Sequence, residues 1–457
     1  MCLLKSKGVD LTAGSIWEHV LAFAAPILIE QLLQNFYNSV DAIVVGRLVG
    51  MTALAAVTSC GDIAQLMISF FAGLSAGAGV MFSHARRTRE YAALHDTIHT
   101  AVAFSILLGS LMAAAGAVFT PFLLRVVNCP NDVLGEATVY LRIYLIGVLF
   151  TAVYNVGAGV LRAIGDTKSP LLYLTVSSAA NVGLDLLFVA WAGMGVLGAG
   201  LATVLSQFFA AALVFRRMMR SRSVYHLSLR ELRLRPDLLR QAAKLGLPAA
   251  VQNALVCISS LFVQRYTNGF GSQVMAGVGA ARKVDRFLLM ICQSIGLSAG
   301  AFVGQNIAAG QYRRTFEGIR TCAALNVLFL FTIGVPAYFF APQVIGIFSK
   351  DTAAAAYGVQ MLRVLLPLYF LQVLNHIFSN AVRGFGHPRA AMLLSAAGMI
   401  GVRQVFLAAA MHRSPVIENI YFGYPVGWGS AALFMAAYYF LAVRPEYRRL
   451  AAEEENT

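Results

Sequence analysis

Long apolar stretches recur along the whole chain and are separated by short polar segments. Each is about 20 or more residues long, enough for a helix to cross the roughly 30 Å hydrocarbon layer of a bilayer. Unbroken apolar runs favour helices over the alternating pattern of membrane β-strands. The pattern therefore predicts an all-α integral membrane protein with about twelve transmembrane helices. We name them spans 1 to 12, near residues 16–45, 52–82, 93–119, 134–161, 169–192, 196–219, 240–267, 273–307, 318–341, 354–384, 388–410 and 416–442.

Three short motifs occur twice in the chain at a nearly constant separation. The segment Gly-Leu-Ser-Ala-Gly-Ala at 73–78 recurs unchanged at 296–301, which is 296 − 73 = 223 residues later. Pro26 pairs with Pro248, and residues 161–165 pair with residues 382–386, about 221 residues apart. Collinear repeats at half the length of a 457-residue chain indicate a duplication. We therefore expect two pseudo-symmetric lobes of six helices each.

The expected domains follow from the repeat and from the one extended polar segment. They are a cytoplasmic N-terminus (1–15), an N-lobe with spans 1–6 (16–219), a basic linker (220–239), a C-lobe with spans 7–12 (240–442) and a cytoplasmic tail (443–457). Hydrophobic residues make up 58% of the chain and charged residues only 12%, which excludes an ordinary soluble domain.

The net charge of +14 is located in alternate loops rather than in a nucleic-acid-binding module. Cations cluster at 86–89, 162–168, 216–244, 313–320, 383–389 and 444–449, whereas the intervening loops hold few. The positive-inside rule then predicts a multi-pass protein of the cytoplasmic membrane with both termini in the cytoplasm. The exception is a group near the start of span 8, formed by Arg282, Lys283, Asp285 and Arg286, which we expect at the membrane interface.

Polar residues inside the spans are the strongest pointers to function, because a charge near mid-bilayer costs several kcal/mol unless it faces a polar cavity. They form stripes at helical spacing, which cannot face lipid. The stripes are Glu30, Gln34, Tyr37 and Asp41 on span 1, with Asn38 beside them; Ser178, Asn181 and Asp185 on span 5; and Thr203 and Gln207 on span 6.

Four of these residues are expected at one depth in the N-lobe. Spans 1 and 5 run outward, which places Asp41 and Asp185 in the outer half, and span 6 runs back inward past Thr203. Together with Asn181 they offer oxygen ligands to one small cation, such as sodium, or a site for a proton. The alternative is that the two acids only hydrogen-bond neighbouring helices.

At this point the motifs resemble those of the multidrug and toxic compound extrusion (MATE) transporters, in particular the DinF-like bacterial branch. The resemblance covers residues 15 to 445 and rests on the order of several motifs. It implies two six-helix lobes around a cavity that opens alternately to each side. The motifs lie at Pro26–Gly46, Gly73–Ala78, Leu161–Pro170, Asn181–Asp185 and Gly304–Arg313.

The resemblance also implies a secondary antiporter, not an enzyme, that exports small cationic or amphipathic compounds in exchange for protons or sodium. The family's N-lobe cation site falls on Asp41, Asn181, Asp185 and Thr203, the four residues selected above from their spacing. In the C-lobe, the duplication aligns Gln252 with Glu30 and places Val263 opposite Asp41, so a second cation site is not indicated.

The expected substrate cavity is lined by polar residues from both lobes. No cofactor is expected beyond the coupling ion, and the expected partners are the substrates and the lipid bilayer, with no nucleic acid and with a monomer as the default. The cavity residues are Glu30, Gln34, Tyr37, Asn38 and Asn155 from the N-lobe, and Gln252, Asn253 and His376 from the C-lobe.

Two other functions stay open at this stage. A lipid-linked precursor flippase of the same superfamily would carry cations in its cavity, and Arg403 on span 11 is the one in-span cation that favours it. An intramembrane enzyme would need a catalytic cluster within a helix, and none is seen. His95 and His99 have metal-binding spacing, but no carboxylate stands at a matching position.

Overall fold

The computed structural model is built from helices in the residues that it describes, which are 11–49, 53, 56–57, 60–61, 63–71, 73, 91–126, 134–163, 166–221, 225–348 and 351–454. No β-strand occurs in these ranges. The α-helices are α1 (Ile16–Leu48), α2 (Tyr91–Val126), α3 (Leu134–Ala163), α4 (Lys168–Asp185), α5 (Gly195–Met219), α6 (Pro236–Asn268), α7 (Ser272–Ala308), α8 (Tyr312–Phe339), α9 (Ala341–Gly346), α10 (Thr352–Leu368), α11 (Phe370–Gly384), α12 (Pro388–Ala396), α13 (Arg403–Arg413), α14 (Ile417–Tyr438) and α15 (Arg444–Glu454).

Ten helical stretches in the described residues are long and apolar enough to cross a membrane, and a bent pair makes up to eleven. They follow the predicted spans closely, which confirms the all-α membrane fold. The prediction of span 2, at 52–82, falls largely outside the described residues.

Short π-helical segments extend three of the membrane helices. They are Leu186–Trp191 after α4, Ala397–Val402 between α12 and α13, and Tyr439–Val443 between α14 and α15. A π turn inserts one residue into the helical ladder and turns the following side chains, and such turns are frequent at functional sites.

Span 10 is broken into α10 and α11, which meet at an angle of 52°. Pro367 lies in the last turn of α10, where its ring removes a backbone donor and crowds the preceding turn. The junction residue Tyr369 is held in place by its side chain, because its hydroxyl donates to the Asp285 carboxylate at 2.9 Å. The bend is therefore favoured by the ring of Pro367 and stabilised by the hydrogen bond between Tyr369 and Asp285.

Contacts divide the chain into two compact units. The first unit contains Ile29–Ala250, and the second contains Asp10–Leu28 and Val251–Thr457. Each unit thus holds most of one expected lobe, together with a short part of a helix that the sequence assigns to the other lobe. The changes of unit occur within α1 and α6, in each case two residues after the proline of the repeated pair, Pro26 or Pro248.

In the first unit, α3 is the central element and packs against α2 and α5. Small residues let these helices approach closely: a Cβ on Gly109 of α2 would lie 3.0 Å from the Leu149 Cα of α3. In the second unit, α7 packs against α8, α10 and α11. There a Cβ on Gly277 would lie only 2.1 Å from the Ala354 carbonyl oxygen, so glycine is required for the contact of α7 with α10.

The Gly-Gln-Asn motif at 304–306 anchors the beginning of the described chain to the second unit. The Asn306 side chain donates to the Leu11 carbonyl oxygen at 3.1 Å, and the Gln305 side chain accepts from the Leu11 N–H at 3.2 Å. Arg314 donates to the carbonyl oxygens of Ala13 and Gly14 at 3.0 and 2.8 Å. The motif therefore has a structural function at this end of the unit.

Candidate cation-coupling site

Three helices of the first unit bring the four predicted cation-site residues into its interior. Asp41 lies on α1, Asn181 and Asp185 lie on α4, and Thr203 lies on α5. Their exposed fractions are 6%, 1%, 0% and 4%. These four residues of the stripes therefore face protein and not lipid.

Asp185 occupies a special position, because it is the last residue of α4 and the π segment Leu186–Trp191 begins directly after it. Ser178, Asn181 and Asp185 recur at spacings of three and four residues and are all buried. The three side chains thus lie on one face of the regular α-helix. The wider π turns begin immediately after Asp185, the last residue of this face.

Tyr140 of α3 joins the acid of α1 to the hydroxyl of α5. Its phenol is in side-chain hydrogen-bonding contact with Asp41 and with Thr203. The Thr203 hydroxyl donates to the Ala199 carbonyl oxygen at 3.0 Å, which leaves its oxygen free to accept. Sequence analysis missed Tyr140; its only signal was a hydroxyl in an apolar span, one turn before Tyr144.

Most polar atoms of this cluster have no hydrogen-bond partner among the described residues. No described group hydrogen-bonds to Asp41 Oδ1, to either carboxylate oxygen of Asp185, to either amide atom of Asn181 or to the Ser178 hydroxyl. None of the ion pairs among the described residues includes Asp41 or Asp185. Asp41 is also close enough to Asp185 for their charges to repel each other.

A buried carboxylate without donors or a counter-charge is strongly unfavourable. A proton or a small cation on the cluster relieves the repulsion and offsets one of the two buried negative charges. The available ligands are carboxylate, amide and hydroxyl oxygens, the donor set that hard cations prefer. Chemically, the arrangement can hold a proton or one alkali cation.

The cavity residues expected in the first unit differ in their burial and in their polar partners. Glu30 is engaged, because Arg162 forms an ion pair with it at 3.1 Å and the Tyr154 hydroxyl donates to it at 2.8 Å. Gln34 and Asn155 are half-buried, and the Asn155 amide donates to the Thr151 carbonyl oxygen at 2.8 Å. The predictions for Tyr37 and Asn38 concern side chains outside the described part of the chain.

In the second unit, an arginine–glutamine hydrogen bond stands where the duplication places the Glu30–Arg162 ion pair. Arg383 donates to the side-chain oxygen of Gln252. His376 is half-buried, with its Nε2 3.2 Å from the Gln372 amide nitrogen, and Asn253 is also half-buried. Val263, which is aligned with Asp41, is 1% exposed. The loss of the acids in this unit is thus accompanied by an arginine without a carboxylate partner among the described residues.

Arg282 and Asp285, two of the four residues expected at the membrane interface, have protein partners in the second unit. Asp285 is 8% exposed and accepts from Tyr369, and Arg282 donates to the Gln264 side chain at 2.6 Å. Arg282 lies ten residues after the first residue of α7, about 15 Å along a 37-residue helix that is longer than the hydrocarbon layer is thick, so the interfacial depth stays a prediction. Lys283 and Arg286 on the same helix are exposed.

The structure supplies the carboxylate that His95 and His99 lack in sequence. Glu231, from the linker between the two sets of spans, lies with its Oε2 3.2 Å from His95 Nε2. The ligand atoms of the three side chains lie within 4.8 Å of one another. However, His99 contacts the His95 carbonyl oxygen through Nδ1 and the Ser228 N–H through Nε2, so both its nitrogens are engaged. The group therefore fastens the linker to α2.

The comparison with protein families also detects the internal duplication. A family model described as MatE matches residues 26–187 and, again, residues 248–409. The two matches start and end 222 residues apart, as the repeated motifs do, and together they cover more than half of the chain. The chain belongs to the MatE family of transporters. It is therefore a multi-pass membrane transporter and not an enzyme.

Relatives within the MatE family match along nearly the whole length. The probable multidrug resistance protein YoeA of Bacillus subtilis is 27% identical over 433 residues, which is 93% of this chain and 94% of the relative. The probable multidrug resistance protein YpnP of the same organism is 28% identical over 405 residues, which is 88% and 90%. A solved outward-facing multidrug resistance MATE transporter has a TM-score of 0.87 at 21% identity, covering 97% of this chain and 99% of that one.

Proposed function

We propose that the protein is a multidrug efflux antiporter that exports small cationic or amphipathic compounds in exchange for protons or sodium. The observation that carries the proposal is the buried pair Asp41 and Asp185: Asp41 Oδ1 and both carboxylate oxygens of Asp185 have no hydrogen-bond partner among the described residues. The names of the relatives YoeA and YpnP support the efflux of drugs as the transport function.

The acid pair gives a physical basis for exchange. With both carboxylates ionised, the first unit attracts a cationic compound, because no ion pair among the described residues compensates the two buried charges. When a proton or sodium ion binds at Asp41, Asn181, Asp185 and Thr203, the net negative charge falls from two to one and the attraction for the compound falls with it. Each ligand thereby lowers the affinity for the other, which is the coupling that an antiporter needs.

The contacts of the site also connect ion binding to the surrounding helices. Tyr140 contacts both Asp41 and Thr203, so a cation that draws these oxygens together changes the contacts of α1, α3 and α5 at once. The π segment after Asp185 has weaker hydrogen-bond geometry than an α-helix and is a suitable place for α4 to adjust. We infer that ion binding acts first on these four helices.

Accumulation of the cationic dye rhodamine 123 in inverted membrane vesicles tests the function. The vesicles carry either a proton gradient or a sodium gradient, and vesicles without the protein are the control. Accumulation under one gradient, abolished when that gradient is collapsed, is the expected result and identifies the coupling ion. If neither gradient moves the dye, the antiport proposal is wrong and flipping of a lipid-linked compound becomes the next function to test.

A further inference from the structure

The second unit contains a buried cationic cluster whose residues are not among those of the proposed cation-coupling site. Its centre is Arg403, the first residue of α13, which is 1% exposed although it carries a guanidinium. Arg403 lies ten residues from the end of the candidate membrane span at Arg413, about 15 Å along the helix, which places it in the interior of that span. A charge at that depth requires a polar or ionic partner.

The partners that the second unit supplies to Arg403 are neutral. The guanidinium donates to the Ser259 hydroxyl and lies over the Tyr424 ring, with 5.9 Å from Cζ to the ring centroid. Its Nε has no hydrogen-bond partner among the described residues. None of the ion pairs within 4.0 Å in the described part of the chain includes Arg403. Within the described ranges, the guanidinium therefore has no ion-pair partner.

A second cation increases the imbalance. Arg282 is close enough to Arg403 to repel it, and it also acts on Tyr424. The nearby acid, Asp285, already accepts from the Tyr369 hydroxyl and is shared by Arg282 and Arg286. Arg282 and Tyr424 are half-buried, so they form the accessible edge of the cluster, whereas Arg403 forms its base.

At positions that correspond in the repeat, the first unit carries acidic residues and the second unit carries this cationic cluster. At the 221-residue separation of the repeat, Arg403 corresponds to Val182, next to Asn181, and Tyr424 corresponds to Thr203. Both sites adjoin a π segment: Asp185 directly precedes one, and Arg403 directly follows the other. The same region of the fold thus carries two acids in the first unit, and an arginine with an aromatic ring in the second.

We propose that Arg403, with Arg282 and Tyr424, binds a carboxylate group of the transported compound, so that aromatic compounds carrying a carboxylate are a preferred cargo class. An arginine fork binds a carboxylate through two parallel hydrogen bonds, and the Tyr424 ring offers a surface for an aromatic body. The inference specifies the cargo of the efflux function proposed above and rests on it for its role in transport.

A matched pair of dyes tests the site. Rhodamine 110 has a free carboxylate, and rhodamine 123 is its methyl ester, so the two share a cationic ring system and differ at one group. Their dissociation constants are measured by fluorescence anisotropy on the full-length protein in lipid nanodiscs. The wild type is expected to bind rhodamine 110 several-fold more tightly than rhodamine 123, because only the former can engage the guanidinium.

Variants of Arg403 then test whether this residue causes the preference for the dye with a free carboxylate. Arg403→Gln is expected to weaken the binding of rhodamine 110 by about tenfold or more, because a charge-assisted hydrogen bond to its carboxylate is lost. The dissociation constant of rhodamine 123 should change by less than about twofold. Arg403→Lys keeps the charge but not the fork and should lie between the two. Lys283→Gln removes an exposed cation from the helix of Arg282 and serves as the control, with no change expected.

Two results overturn the carboxylate site. One is equal or tighter binding of the methyl ester by the wild type, a comparison that needs no variant to fold. The other is an equal loss of both dyes in Arg403→Gln, which would make Arg403 a structural residue only. Failure of vesicles to accumulate rhodamine 123 would instead refute the efflux function and leave the measured preference for the carboxylate intact.

Discussion

Arg162 of α3 forms an ion pair with Glu30 of α1, with 3.1 Å between Nη1 and Oε2. The residues that the duplication aligns with them, Arg383 and Gln252, form a hydrogen bond in the second unit. The arginine and its contact are thus retained in both halves of the protein, while the acid is present only in the first. The shared geometry with altered charge shows how one architecture carries two different electrostatic environments.

This comparison predicts unequal effects of the two single substitutions. Glu30→Gln should lower the melting temperature only slightly, because the amide oxygen can still accept from Arg162 as Gln252 does from Arg383. Arg162→Gln should cost about 1–3 kcal/mol, because the Glu30 carboxylate loses its counter-charge. Thermal unfolding of the detergent-purified variants measures both. A larger loss for Glu30→Gln than for Arg162→Gln would contradict the assignment.

Tyr140→Phe should uncouple the site without unfolding the unit. The substitution removes the hydroxyl that contacts Asp41 and Thr203 but keeps the buried ring. We expect gradient-driven dye transport to fall by about tenfold, consistent with the loss of one hydrogen bond to a charged group. Tyr338→Phe, on α8 of the second unit, is the control. Full transport by Tyr140→Phe would show that the phenol does not belong to the site.

Close packing makes Gly398→Ala destabilising. A Cβ on Gly398 would lie 2.3 Å from the Ala431 backbone nitrogen of α14, so the π segment and α14 must separate. Overpacking of this kind costs about 1–3 kcal/mol. A Cβ on Gly401, in the same π segment, would meet no described atom within 4 Å, so Gly401→Ala is the matched control. Equal melting temperatures for the two variants would refute the packing argument.

The polar contacts of the linker should control its exposure to protease. Arg235 pairs with Asp96, and the Ser228 N–H donates to His99 at 2.9 Å. Asp96→Asn should increase tryptic cleavage at Arg230 and Arg233 by about two- to fivefold, the effect expected for one exposed ion pair. Glu317→Gln breaks the exposed pair with Arg313 elsewhere and is the control. Unchanged cleavage in Asp96→Asn would mean that the pair does not hold the linker.

Much of the fold was predictable because the bilayer imposes a simple rule on sequence. Long apolar runs must be helices, and a polar stripe within a run must face protein, so Asp41, Asn181, Asp185 and Thr203 could be selected from spacing alone. Contacts between distant helices follow no such rule. Tyr140 gave no distinctive signal, and the tertiary partners of Arg282 and Asp285 could not be read from their positions near a span end. The bend at Tyr369 was also missed, although Pro367 was its visible cause.

The competition between coupling ion and cationic dye tests the account most directly. Binding of rhodamine 123 to the protein in nanodiscs is measured across a range of pH and of sodium concentration, for wild type, Asp41→Asn and the control Asp237→Asn, whose carboxylate is 66% exposed. In the wild type and the control, dye binding should weaken as the coupling ion increases, toward low pH for protons or high salt for sodium. In Asp41→Asn the dependence should be lost. The same dependence in Asp41→Asn as in the wild type would show that the ion binds elsewhere.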